Sequence, residues 1–240
     1  PYPPPYGGIS SHIRDVTKRL TSKDFSISIL SFEKKFQHVK LNDDLQLYRV
    51  CNIIKLSSIL NYINKIFYII KIFNNLWMKK ISVRNFLSSL NRSLIVNDYL
   101  NKFKINTVAI YDSLPGSIIP FLKLLNPDLK ICFTYYAGPI KHKSFYLKNL
   151  PFWKEVFLKS DKLSSSSKFC AEGGYIISQN ISPEVIYVGV ELSRFNLKDD
   201  KFFIGKKIKK ILFVGRMLEE MGVKAVIEIA EKMINLREDI

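Results

Sequence analysis

The stretch that decides the fold is residues 209–223, KKILFVGRMLEEMGV. A basic start leads into four consecutive apolar residues, which is typical of a short strand buried on both faces. Gly215 and Arg216 follow at the carboxyl end of that strand, and a helical pattern then runs from 223 to about 235. Ligands of open α/β sheets bind at the carboxyl ends of strands, and the guanidinium fork of Arg216 suits a phosphate group there.

Working outward, strands and helices alternate along the rest of the chain with short turns between them. This order predicts an α/β fold in which parallel strands are joined by right-handed crossovers. We expect the strands near 25–32, 106–111, 130–134 and 185–188 to form one mostly parallel sheet with helices on both faces. Further strands are predicted at 45–50 and 162–165, and helices at 9–20, 92–102, 117–125, 151–159 and 167–178, the last broken around Gly173 and Gly174.

Length and composition predict one complete domain and part of another. The chain has 240 residues, of which 47% are hydrophobic, enough for a substantial core. We expect a first domain over 1–190 that lacks its original first strand, a linker over 191–208, and the beginning of a second domain over 209–240.

Cysteine and histidine usage indicates neither a metal centre nor a disulfide framework. The three cysteines, Cys51, Cys132 and Cys170, form no Cys-x-x-Cys pair, and the three histidines are far apart. We therefore expect no metal and a reducing cytoplasmic location.

The net charge of +16 is concentrated in the first domain. Residues 191–240 hold 11 Lys and Arg against 9 Asp and Glu, which leaves 26 against 12 in residues 1–190. Such a surface favours an anionic membrane face, although lysines that are merely solvated are the alternative. We do not expect nucleic acid as a partner, because no nucleic-acid-binding motif accompanies the charge.

The apolar stretch 59–73 predicts either a helix packed against the sheet or an amphipathic helix lying on the membrane.

Two sets of residues could contact a ligand in the first domain. Gly7 and Gly8 precede a helix, where a bare backbone and free N–H groups favour an anion, and His12 lies one turn further on. Asp112 follows one predicted strand, and Tyr135 and Tyr136 follow the next. These side chains share one crevice if the sheet is parallel. The alternatives are an ordinary loop for the glycines, a partly buried helix histidine, and core or rim packing for the tyrosines.

Three segments in the expected order resemble the group-1, family 4 type, retaining glycosyltransferases of the GT-B fold. They are 2–13 (YPPPYGGISSHI), 185–195 (VIYVGVELSRF) and 209–223. The resemblance implies a Rossmann-like acceptor-side domain followed by the first βα unit of a second, donor-binding Rossmann-like domain. It also implies metal-independent transfer of a sugar from a nucleotide-sugar donor to a glycan or lipid-linked acceptor, without a cofactor, in the cytoplasm or at the cytoplasmic membrane face.

The resemblance extends to particular residues, with departures. It implies donor contacts from Gly7, Gly8 and Arg216, and acceptor-side contacts from His12, Asp112, Tyr135 and Tyr136, but identifies no catalytic residue. The family usually carries histidines where this chain has Tyr111 and Tyr136, and a lysine where it has Met221. A nearby cation, Lys224, could compensate for the missing lysine. The competing hypothesis is a degenerate, non-catalytic protein that binds a glycan or a membrane.

Overall fold

The chain folds as two compact units, Pro1–Val188 and Gly189–Ile240. The structure, a computed structural model, describes residues 7–21, 23, 25–33, 37–51, 70, 82–191, 212–215 and 217–236. The predicted segment 59–73 lies outside these residues except for Ile70.

The described part of the first unit contains seven strands and eight helices. The strands are β1 (Ile27–Glu33), β2 (Gln37–Lys40), β3 (Leu45–Cys51), β4 (Thr107–Tyr111), β5 (Lys130–Tyr135), β6 (Lys162–Ser165) and β7 (Glu184–Val185). The helices are α1 (Gly8–Thr21), α2 (Val83–Phe103), α3 (Ser113–Gly116), α4 (Ile119–Leu125), α5 (Gly138–Lys141), α6 (Lys143–Lys148), α7 (Leu150–Leu158) and α8 (Lys168–Ile177).

Four strands form the predicted parallel sheet, in the order β4-β5-β6-β7. Its core face is clearest in β5, where Ile131, Phe133 and Tyr135 alternate with half-buried or exposed neighbours and are completely buried. They join the same hydrophobic core as Phe121 of α4 and Phe157 of α7. The period of two in β5 thus fixes which side of the sheet receives these helices.

The prediction that the strand near 25–32 belongs to this sheet is wrong. Strand β1 pairs along its whole length with β3, in parallel, in a separate sheet of order β1-β3-β2. Strand β2 was not predicted, because its four residues, QHVK, carry little apolar signal. It forms a local antiparallel hairpin with β3, which needs only a short loop to close and therefore costs little chain entropy.

Helix α2 packs against the sheet β1-β3-β2 and against helix α4. Its Tyr99 lies edge-on to Tyr48 of β3, and its Phe86 lies edge-on to Phe121 of α4. The helix begins nine residues before the predicted start at residue 92, because Ser82 caps it by accepting a hydrogen bond from the Asn85 N–H at 3.4 Å. The polar residues of this first half weaken the apolar period that predicts helices from sequence.

Helix α8 is continuous, although a break was predicted at its two glycines. A Cβ at Gly173 would lie 3.0 Å from Pro139 Cβ, and one at Gly174 would lie 2.7 Å from the Tyr135 hydroxyl. The glycines therefore serve close packing of the helix rather than a bend.

In the second unit, helix α9 (Val223–Leu236) confirms the predicted helix over 223–235. The predicted strand is wrong for residues 212–214, which form no β-strand. Their side chains are not buried either, since Leu212 and Val214 are each 83% exposed. A strand needs a neighbour for its backbone hydrogen bonds, and no strand of this unit is present among the described residues to supply one.

Across the described residues of both units, no helix combines the length and apolarity that crossing a bilayer requires.

Candidate functional site

The candidate site lies at the carboxyl edge of the sheet β4-β5-β6-β7. Strand β4 ends at Tyr111 and is followed by Asp112, and β5 ends at Tyr135 and is followed by Tyr136. The two strands are parallel, with Tyr111 paired to Thr134, so both ends lie on one edge. This is the edge at which ligands bind in open α/β sheets.

Helix α1 contacts this edge through His12. The imidazole lies edge-on to the Tyr111 ring, with 5.7 Å between ring centroids. Burial lowers the pKa of His12 below its ordinary value, against a smaller raising effect of Asp15. The imidazole is therefore neutral at pH 7, with one nitrogen able to donate and the other able to accept a hydrogen bond.

The glycine pair lies one turn before His12, at the start of α1. Gly7 and Gly8 are both exposed, and a Cβ placed on Gly8 would meet no atom within 4 Å. The first helical turn leaves N–H groups without a partner inside the helix, and the helix dipole adds partial positive charge. Because four helical residues rise about 6 Å, this open helix start is close to the carboxyl edge of the sheet.

Asp112 forms the turn that leaves β4. Its φ is 77°, the left-handed region in which aspartate is tolerated better than most residues. Its N–H donates to the Thr134 carbonyl at 2.9 Å, and its carbonyl accepts from the Gly116 N–H at 3.0 Å. The backbone is thereby fixed, and the half-buried side chain is held at the carboxyl edge.

The structure separates the two tyrosines that end β5. Tyr135 is completely buried and donates its hydroxyl hydrogen bond to the Ala171 carbonyl at 3.0 Å. Its ring belongs to the hydrophobic core, which is the packing alternative for this residue, and its acceptor-side contact stays a prediction. Tyr136 is half-buried, and its buried hydroxyl has no hydrogen-bond partner among the described residues.

Tyr136 is held in its protonated form. Burial raises the pKa of its hydroxyl well above the ordinary value, and the nearby Tyr111, Asp112 and Cys170 raise it further. Burial also raises the pKa of Tyr111. The edge therefore presents neutral hydroxyl groups, which can hydrogen-bond a sugar but do not exchange a proton near neutral pH.

A run of serines, missed by the sequence reasoning, completes the edge after β6. Ser167 caps α8 by accepting from the Cys170 N–H at 3.1 Å, and the Ser165 hydroxyl donates to the Ser167 carbonyl at 3.1 Å. Serine runs occur in many loops, so only the position after a strand could have drawn attention to them.

No group of three His, Cys, Asp or Glu residues suited to a metal ion occurs within the described ranges.

A depression of about 440 Å³ lies at the opposite, amino edge of the sheet, beside Lys123 and Asp161. Lys123 Nζ is 2.7 Å from Asp161 Oδ2 and 2.6 Å from the Leu129 carbonyl oxygen. Asp161 in turn accepts the Ile131 N–H at 2.8 Å. These contacts hold the starts of β5 and β6 together, at the edge opposite the candidate site.

One of the predicted donor contacts, Arg216, belongs to the second unit. Arg216 lies outside the described residues, and its donor contact stays a prediction. Met221 ends a 3₁₀ turn over Glu219–Met221, and Lys224 is exposed in the first turn of α9.

The comparisons with known proteins support the fold. No protein-family model matches the chain, and no curated protein matches it. Among solved structures, the apo structure of OtsA, a GT-B glycosyltransferase, matches with a TM-score of 0.51 at 14% identity. The match covers 81% of this chain and 48% of OtsA, so the chain spans about half the length of that protein. The likeness shows a Rossmann-like domain of the GT-B fold.

Proposed function

We propose that the chain is the acceptor-side domain, with the beginning of the donor-binding domain, of a retaining glycosyltransferase of the family 4 type. The substrates are a nucleotide-sugar donor and a glycan or lipid-linked acceptor, and neither a metal nor a cofactor takes part. The observation that carries the proposal is the contact of His12 with Tyr111, which brings the glycine start of α1 to the carboxyl edge of the sheet.

The proposed roles follow from charge and protonation. The open N-terminus of α1 at Gly7 and Gly8 favours an anion such as the donor diphosphate. Neutral His12 and the unpaired Tyr136 hydroxyl supply hydrogen bonds to the acceptor. Arg216 stabilises the charge that builds on the departing diphosphate. We expect these 240 residues by themselves to be inactive.

A non-catalytic glycan-binding protein is the second candidate. It is favoured by Met221 at the position of the family's lysine, because a missing cation costs transition-state stabilisation. Tyr136 also favours the non-catalytic candidate. Its hydroxyl, whose pKa is raised by burial, stays protonated near neutral pH and therefore cannot replace a histidine as a proton shuttle.

Turnover of a panel of nucleotide sugars by the full-length protein tests the proposal. Nucleoside diphosphate release is measured with glycan and with lipid-linked acceptors, with and without EDTA, and the anomeric configuration of the product is determined by NMR. We expect one donor to be used with retention and without an effect of EDTA. Saturable glycan binding without release from any donor would favour the non-catalytic protein, and inversion or loss of activity in EDTA would refute the proposed mechanism.

A further inference from the structure

A short basic segment with exposed apolar side chains lies directly after the candidate site. We name residues 138–154 the basic arm; it comprises α5, α6 and the first half of α7. It contains four lysines and no Asp or Glu, and the lysines are all exposed. They are Lys141, Lys143, Lys148 and Lys154.

Helix α6 gives the basic arm an outer face that is both apolar and basic. Tyr146 is buried and marks the inner side of the helix. Phe145 and Leu147, its neighbours on either side, are 44% and 45% exposed. At 100° per residue, Lys148 lies on the side opposite Tyr146, between the directions of Phe145 and Leu147. Two apolar side chains therefore flank a lysine on the outer face.

The outer face rests on a rigid base. Tyr146 packs against Trp153 of α7 with 4.6 Å between ring centroids, and Phe145 lies edge-on to the same indole at 6.1 Å. The Asn149 side chain ties the two helices by donating to the Phe145 carbonyl at 2.8 Å. The partial exposure of Phe145 is thus a fixed feature of the packing between α6 and α7.

The basic arm adjoins the candidate site. It begins two residues after Tyr136, where β5 ends at the carboxyl edge of the sheet. Helix α8 holds its start in place, because Gly173 packs closely on Pro139. The start of the basic arm is therefore close to the edge that carries Tyr111 and Tyr136.

We infer that the basic arm docks the protein on an anionic lipid bilayer, with Phe145 and Leu147 in the interface and the lysines among the headgroups, and that the acceptor is lipid-linked. This part about the acceptor rests on the proposed glycosyl transfer. Charge complementarity selects the bilayer, since the exposed lysines of the basic arm, Lys143 and Lys148 above all, match a sheet of negative headgroups. The exposed phenylalanine and leucine add apolar side chains that can enter the interface of a bilayer, while the lysines stay at its headgroups.

Vesicle co-sedimentation of the full-length protein tests the docking without any sugar donor. The vesicles contain phosphatidylcholine alone or phosphatidylcholine with phosphatidylglycerol, at low salt and at about 0.5 M NaCl. We expect binding to the anionic vesicles that weakens at high salt. K143Q/K148Q is expected to weaken it roughly 25-fold, since each lysine near a charged surface contributes about fivefold. Leu147→Ser is expected to weaken it severalfold at both salt concentrations.

Matched controls separate the basic arm from the general charge of the chain. K23Q/K162Q removes two exposed lysines elsewhere in the first unit, and Leu87→Ser removes an exposed leucine of α2. Each of these two control variants is expected to change vesicle binding by less than about threefold, which is the size of a long-range charge effect. Equal losses from K143Q/K148Q and K23Q/K162Q would overturn the inference. So would equal binding to neutral vesicles, absence of binding to anionic vesicles, or tighter competition by RNA than by anionic vesicles.

The acceptor part has its own readout. If the proposed function holds, K143Q/K148Q raises the KM for a vesicle-borne lipid-linked acceptor and leaves the KM for a soluble glycan acceptor unchanged. Equal effects on both acceptors would overturn the lipid assignment. Arm-dependent vesicle binding by a protein that turns over no donor would leave the docking intact and refute the glycosyl transfer.

Discussion

The imidazole of His12 lies edge-on to the phenol ring of Tyr111, with 5.7 Å between their centroids. The two residues are 99 positions apart in the chain, on the first helix and at the end of β4. Their contact brings the glycine start of α1 to the carboxyl edge of the parallel sheet. On the neighbouring strand β5, Tyr135 is the last residue and Tyr136 follows it at the same edge.

His12 is expected to make stability fall in acid. Burial lowers its pKa in the folded state below the ordinary value of about 6.5, so protonation favours the unfolded state. This contribution to stability is complete above about pH 6.5 and is lost as the pH falls through the folded-state pKa. Urea unfolding between pH 7.5 and pH 5 should show a smaller loss in His12→Gln than in the wild type. His142→Gln, which removes an exposed histidine, should retain the wild-type loss, and an unchanged pH dependence in His12→Gln would contradict the prediction.

Removal of a single hydroxyl should have opposite consequences at Tyr135 and Tyr136. Tyr135→Phe leaves the buried Ala171 carbonyl without its hydroxyl donor, and should cost about 1 kcal/mol of unfolding free energy. Tyr136→Phe removes a buried hydroxyl that has no partner, and should leave stability unchanged or raised.

The same pair separates a packing role from a contact with the acceptor. If the proposed transferase is active, Tyr136→Phe should raise the KM for the acceptor, whereas Tyr135→Phe should leave it unchanged at a temperature where both variants are folded. A KM effect of Tyr135→Phe as large as that of Tyr136→Phe would argue against the acceptor contact of Tyr136.

Gly174→Ala should destabilise the protein through the Tyr135 hydroxyl. The new Cβ would lie 2.7 Å from that oxygen, and the next contact, with Ile181, is an ordinary one at 3.5 Å. Overpacking of a buried site costs about 1–3 kcal/mol, which exceeds the gain of about 1 kcal/mol in helix propensity. In a Tyr135→Phe background the obstructing oxygen is absent, so Gly174→Ala should become neutral or stabilising. A double-mutant cycle of urea unfolding measures this coupling, and additivity of the two changes would disprove the contact.

Arg216 and Met221 test the donor side in the full-length protein. Arg216→Ala should lower turnover by roughly two orders of magnitude, the scale for loss of one preorganised charge-stabilising donor. Met221→Lys should raise turnover or tighten binding of the nucleoside diphosphate, because it restores a cation where the family carries one. Met217→Lys, on an exposed methionine of the same unit, adds the same charge as a control and should do neither. Intact activity in Arg216→Ala would refute the assignment, and an inactive protein that Met221→Lys leaves unchanged would favour the non-catalytic candidate.

Local sequence determined most of the elements of the first unit. Strands β4, β5 and β6 and helices α1 and α7 lie within one or two residues of their predicted bounds, because each is a short apolar pattern bounded by turn residues. Their parallel pairing also follows from the alternation of strands and helices, since a crossover helix returns the chain in the same direction.

Tertiary structure decided what the same patterns left open. The alternating segment 25–32 predicts a strand, but its partner depends on which edge is available, and the hairpin β2–β3 supplied it. Residues 211–214 carry a strong strand pattern, yet residues 212–214 form no strand, because hydrogen bonds of a ladder need a second chain segment. Gly173 and Gly174 predict a break in the helix from the sequence alone. In the fold, Pro139 and Tyr135 pack closely against these two glycines, and the helix is continuous.

The candidate site shows the same division. The sequence by itself determined that polar residues follow two strands, and hence that Asp112, Tyr135 and Tyr136 are near one edge of the sheet. Only the fold could decide that Tyr135 points into the core while Tyr136 lies half-buried with an unpaired hydroxyl, because successive side chains of a strand alternate between faces that only helix packing distinguishes. The contact of His12 with Tyr111 was likewise beyond the sequence, since it depends on where a helix packs and not on any local pattern.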